Sequence, residues 1–121
     1  MLLDKYNKAI NEFEYQQVPN PEYKNLKNLY EDEDVKQVPL YGLFINTKGY
    51  YGDSPIAVTK GYNINLPKHL LEPVKEMIED REVIELVNKG NVFMDIYPYT
   101  NRWGTNYSVK FITNEDETKG V

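Results

Sequence analysis

Cysteine is absent from this 121-residue chain, and histidine occurs once, at His69. The first absence removes disulfide scaffolds, thiolate zinc centres, iron–sulfur clusters and cysteine nucleophiles together. The second removes any metal site that needs two imidazoles. No apolar run approaches the roughly 20 residues required to cross a bilayer. Met1 to Tyr6 lacks the basic start and apolar stretch of a secretion signal. These absences lead to the expectation of a soluble cytoplasmic protein with no cofactor and no metal.

Basic residues are the minority, 14 against 19 acidic ones, for a net charge of −5. A negative body repels phosphate, which argues against duplex binding by bulk charge while leaving room for a local basic groove. An acidic surface can also occupy the basic groove of a nucleic-acid enzyme, as DNA mimics do. Glu31-Asp32-Glu33-Asp34 lacks the alternating ligands, glycine and distal glutamate of a calcium loop. Gly49, Gly52 and Gly104 match no phosphate-cradling motif and read as turn glycines. His69 stands in Pro67-Lys68-His69-Leu70 without a serine or carboxylate pattern to complete a nucleophile–base pair, so it reads as a surface or capping residue. No catalytic constellation is present, and the expectation is a non-enzyme.

The chain is rich in tyrosine, eleven in all, beside four phenylalanines and one tryptophan. Hydrophobic spacing of three and four predicts a helix over 2–15, ended by Val18-Pro19-Asn20-Pro21. A short helical turn is expected over Glu22–Tyr30, within a partly mobile connecting segment. Strands are expected at Leu40–Thr47 and Pro55–Ile64, joined by a loop around Tyr50 and Tyr51, with a bulge or bend at Gly61. Asn65-Leu66-Pro67 reads as a helix start, and Pro73 either begins a second helix or kinks the first. Asp80 is placed to cap a further helix that Gly90 closes. Asn91–Tyr99 and Thr105–Thr113 alternate as strands around a turn at Thr100–Gly104.

The expected fold is therefore α+β. A four-stranded antiparallel sheet of two hairpins carries a central helical pair and an N-terminal helix on one face. The expected divisions are 1–37, an N-terminal helix with acidic connector; 38–113, the core; and 114–121, a polar tail.

Two surfaces stand out. Glu72, Glu76, Glu79, Asp80, Glu82 and Glu85 crowd the helical pair, with Lys68, Lys75 and Arg81 among them. Tyr41, Tyr50, Tyr51, Tyr97, Tyr99, Trp103 and Tyr107 lie on or beside strands, interleaved with Lys48, Lys60, Arg102 and Lys110. Strand alternation cannot bury all of these rings, so an exposed aromatic patch near Tyr50, Tyr51 and Trp103 is expected.

Tyr41-Gly42, Gly49, Gly52, Asn65-Leu66-Pro67-Lys68-His69-Leu70 and Tyr107-Ser108-Val109 resemble small uncharacterised proteins of phages and mobile elements in low-GC Gram-positive bacteria. The resemblance spans about residues 40–112, rests on turn glycines and a helix start, and carries no functional residue across. It implies an accessory role on nucleic acid or host machinery.

The leading expectation is an accessory protein that binds and inhibits or modulates a host protein with a basic surface, such as a nucleic-acid-handling or defence enzyme, in an anti-CRISPR-like manner. Tyr50, Tyr51 and Trp103 would anchor that partner, and Glu31, Asp32, Glu33, Asp34, Glu76 and Glu79 would steer it. The alternative is a single-stranded nucleic-acid binder using Lys48, Lys60, Tyr97, Tyr99, Arg102, Tyr107 and Lys110.

Overall fold

The fold, a computed structural model, describes residues 13–15, 19–47 and 52–113. Among these residues, seven strands form two sheets. The first has the order β1 (Glu22–Asn25), β5 (Tyr62–Asn65), β4 (Ser54–Val58), β3 (Gly42–Asn46). The second has the order β2 (Gln37–Pro39), β6 (Val92–Asn101), β7 (Gly104–Thr113). Two helices, α1 (Leu71–Glu79) and α2 (Arg81–Asn88), stand between β5 and β6 in the chain.

The α+β class and the central helical pair are present. The single antiparallel sheet is corrected: the strands divide into sheets of four and three, and β1 runs parallel to β5. The division arises at one place. The Leu40 amide donates to Val92 O in the second sheet, and the next amide, Tyr41, donates to Val58 O in the first. One stretch, Gln37 to Asn46, thus serves both sheets, changing partner between β2 and β3. Leu40 sits at the change and is fully buried. Alternation cannot reveal such a change of partner, because both halves remain extended.

The helical turn expected over Glu22–Tyr30 is present in the second half of that span and corrected in the first: Glu22–Asn25 is a strand, and a π-helical turn at Asn28–Asp32 follows it, with the Asn28 amide capped by Asn25 Oδ1 at 2.8 Å. Leu26 and Leu29 from this region enter the main buried cluster with Leu43, Ala57, Ile64, Val74, Val87, Met94 and Val109. The expected boundary between residues 37 and 38 falls inside β2. The expected helix over 2–15 lies outside the described residues except for Phe13–Tyr15, which have no regular structure. The tail after Thr113 also lies outside them.

Pro55–Ile64 is two strands. Lys60 and Gly61 turn β4 into β5, with the Thr59 amide and hydroxyl both donating to Tyr62 O at 3.0 and 2.6 Å. Gly61 takes φ +95°, a left-handed conformation that side chains resist, so the bend expected there is a reversal. Asn65 pairs with Asn25 and Ile56 at the end of β5 instead of capping a helix. After Pro67, a single 3₁₀ turn (Lys68–Leu70) precedes α1, so the first turn is separate and Pro73 falls in the first turn of α1. A proline amide is not needed there. Asp80 caps α2 through the Glu82 and Val83 amides, and Gly90 follows at φ +77°, both as expected.

The helices pack on β3 and β4. Ile56 and Val58, at alternate positions of β4 from Ala57, are also buried, and Phe13, which packs against the main cluster, lies beside Gly42. Along β6, Val92, Met94 and Ile96 are buried while Phe93, Asp95 and Tyr97 are half-buried, as the alternation requires. Among the described residues no helix is long and apolar enough to cross a membrane.

Leu40→Ala should lower unfolding free energy by about 2–5 kcal/mol, since it leaves a cavity in the main buried cluster where Leu40 has no exposed surface. Asp80→Ala should cost about 1 kcal/mol through the lost cap. Urea denaturation followed by circular dichroism checks both values.

Candidate functional site

The β6–β7 hairpin runs in continuous register from Val92↔Thr113 to Asn101↔Gly104. Strand β2 flanks it only at Phe93, Met94 and Asp95, with one more bond from the Ile96 amide to Lys36 O. Beyond Ile96 the hairpin is a two-stranded arm. Pro98 and Thr100 to Thr105 are exposed along it. The tip is a turn through Arg102 and Trp103, with the Trp103 amide bonded to Asn101 Oδ1 at 2.9 Å and Gly104 at φ +115°. Trp103 is 80% exposed, and the Arg102 guanidinium stands 4.8 Å from its ring centre. An indole in water with a cation on one face is a poor structural element and a good contact.

The arm has two faces. Tyr97, Tyr99, Ser108 and Lys110 share one, by strand register. Tyr97 and Tyr99 lie 6.3 Å apart, and Lys110 Nζ is 5.5 Å from the Tyr97 ring. His69 braces this face: its Nε2 is 3.0 Å from Ser108 Oγ, and its ring meets Tyr99 edge-on at 6.1 Å. Ser108 is fully buried, so its hydroxyl is a satisfied structural group with no access to a substrate. The serine partner of His69 lies 39 residues away in sequence, and local spacing cannot show it.

Tyr107 lies on the other face. Its hydroxyl donates to Glu31 Oε2, and its ring tilts against Tyr30 at 5.4 Å. Lys36 Nζ sits 3.7 Å from the Tyr30 ring. The alternation of β7 separates Tyr107 from Tyr97 and Tyr99, so the expected aromatic set is not one platform. Lys60 is elsewhere, exposed on the β4–β5 turn. Lys48, Tyr50 and Tyr51 lie outside the described residues.

The acidic residues are also dispersed. Glu33 pairs with Lys24 and Asp34 with Lys36, each at 2.9 Å, while Glu31 holds Tyr107 and Asp32 is exposed. This run is largely engaged with the chain's own cations and phenol. Glu76 and Glu79 are exposed on α1, which packs on β3 and β4 and belongs to a different part of the molecule from the arm.

Sequence reasoning did not identify a cleft at the base of the arm. Asn25, Lys27, Asn65, Thr105, Asn106 and Tyr107 line a cavity of about 270 Å³, floored by Leu26, Leu66 and Pro67. It lies where β5 ends beside the start of β7, two strands that share no ladder. The signal available was asparagine abundance, which carries no position. Among the described residues no cluster of three or more His, Asp or Glu could hold a metal ion. No family model, no curated protein and no solved structure matches the chain.

The Glu31 carboxylate accepting its proton, together with burial and the nearby negative charge, pushes the Tyr107 phenol up to about 12. The neutral phenol is thereby favoured in the fold. Its contribution to stability is complete below the ordinary phenol value near 10 and is lost as pH rises through about 12. Glu31→Gln should bring the Tyr107 titration back toward 10 and remove that segment of the stability profile. Ring-labelled tyrosine resonances followed through alkaline pH check this.

Proposed function

We propose that this chain binds single-stranded nucleic acid, with the β6–β7 arm as the contact. The carrying observation is the arm's composition and exposure. From Ile96 to Thr113 the chain holds Arg102 and Lys110 and no carboxylate side chain, within a protein of net charge −5. Arg102 stands beside the solvent-exposed Trp103 at the tip, and Lys110 lies further down the arm beside Tyr97. Anionic backbones with flat unstacked bases fit that combination, and stacking tolerates any base because each has a π-face. A negative body disfavours duplex by bulk charge and leaves the arm as the local attractor.

The topology supports the same reading. The stretch Gln37–Asn46 pairs with β4 and with β6, β4 pairs with β5, helices follow, and β6 pairs with β7. This is the strand scheme of the partly open five-stranded OB barrel, with β1 added at one edge. In such barrels the loop between the first two strands and the loop between the last two contact oligonucleotides. Here the second is the Arg102–Trp103 turn, and the first is the connection from β3 to β4, whose sequence carries Lys48, Tyr50 and Tyr51. The likeness is one of architecture, and function rests on the site.

A second reading, a protein that inhibits or modulates a basic host factor, draws on the exposed carboxylates of α1 and α2, among them Glu76 and Glu79. The mobile-element resemblance suits either reading.

Trp103 is the chain's single tryptophan, so its fluorescence reports the tip alone. Titration with single-stranded oligonucleotide should quench it, with affinity falling as salt rises. Trp103→Ala should weaken binding by about 1–3 kcal/mol, the usual range for one stacked base. Arg102→Ala should reduce the slope of log affinity against log salt by about 0.7, the share of one phosphate on a single strand. Absence of oligonucleotide binding at low salt would overturn the proposal and favour the protein-partner reading.

A further inference from the structure

We infer that the cleft between the end of β5 and the start of β7 is a nucleobase pocket that gives the interaction a base preference, with adenine favoured. The inference rests on the single-strand reading above and assigns it a specificity site. Three observations carry it.

The first is position. The cleft is lined by Thr105, two residues beyond Trp103, and by Asn106 and Tyr107. The cleft therefore lies close along β7 to the point where a base would stack on the indole. The second is size. About 270 Å³ is just under the roughly 300–1,000 Å³ of sites for drug-sized ligands, which suits a single ring system.

The third is chemistry. Asn25, Asn65 and Asn106 bring three amides, Thr105 a hydroxyl and Lys27 an ammonium, and the lining contains no carboxylate side chain. Asn25 uses its oxygen on the Asn28 amide, which leaves its NH₂ group able to donate. Asn106 uses its NH₂ on Gly104 O at 3.3 Å, which leaves its oxygen able to accept. Asn65 is exposed at the end of its strand. One asparagine amide pairs the edge of adenine through two bonds, and Asn65 is the amide of the cleft able to present both its groups, with Asn25 adding a donor and Asn106 an acceptor. Lys27 supplies charge for the adjoining phosphate. Leu26, Leu66 and Pro67 give the ring an apolar floor, with the Tyr107 ring beside it.

A larger hollow of about 350 Å³, lined by Glu14, Tyr15, Tyr41 and the end of α2, is a weaker candidate. It places a carboxylate where a phosphate chain would run and is not part of the arm.

The test compares the affinities of short dA, dT and dC oligonucleotides for the full chain, for Asn65→Ala and for Asn106→Ala, read by Trp103 quenching. The expected result is a preference for dA of at least about fivefold, the lower end for one two-bond contact. Asn65→Ala and Asn106→Ala should bring dA down to the level of dT while dT binding stays as in the unsubstituted chain. Asn65 is solvent-exposed, so loss of fold does not explain its effect, and a circular dichroism melt of each variant confirms this. Equal affinity for all three oligonucleotides, or a preference that survives both substitutions, overturns the pocket and leaves the single-strand reading standing. No binding to any oligonucleotide overturns both. Loss of dA and dT binding together assigns the asparagines a general structural role and also overturns the pocket.

Discussion

The molecule depends on one stretch of backbone satisfying two sheets. Between Leu40 and Tyr41 successive amides bond to opposite partners, Val92 and Val58. Successive amides of an extended strand point to opposite edges, so residues 40 and 41 form the seam at which the two sheets meet. Leu40 stands at that seam with no exposed surface. Val38, Met94 and Val109 from one sheet and Leu43, Ala57 and Ile64 from the other share one buried cluster. The helices cover β3 and β4, and Val74 and Val87 complete the same interior.

The arm follows from an imbalance in strand length. Strands β6 and β7 have ten residues each, whereas β2 has three. Only part of the hairpin can be flanked, and the remainder projects with exposed residues from Thr100 to Thr105. Its stiffness comes from the ladder and from contacts at its base, Tyr107 with Glu31 on one side and His69 with Ser108 and Tyr99 on the other. Under the proposed reading, a braced base would lower the ordering cost of binding at the tip.

Local chemistry was legible from the residues and long-range pairing was not. Asp80, Gly90, the alternation of β6 and β7, and the exposure of Trp103 each follow from a handful of neighbouring residues, and all are present. Glu22–Asn25 could not be recognised as a strand, because its partner is Tyr62–Asn65 and parallel pairing leaves no hairpin signal. Gly61 was read as a bend within one strand, since a two-residue reversal and a bulge both favour glycine. Of the expected site residues, Tyr97, Tyr99 and Lys110 share a face and Arg102 stands with Trp103. Tyr107 was assigned to the same surface although the two-residue period of β7 turns it to the other one. The cleft at the base of the arm joins residues from positions 25 to 107, a convergence that only the folded chain displays.

Pro98 gives the arm a further property. The Ile96 amide points toward β2, and the strand's period of two turns the nitrogen of Pro98 to the same side, away from β7. The proline therefore removes no bond from the ladder. It deletes a donor from the margin that β2 leaves unflanked, where a foreign strand would otherwise find a template. A projecting ribbon is open to strand addition, and one missing hydrogen at this point makes that margin of β6 a poorer template for it.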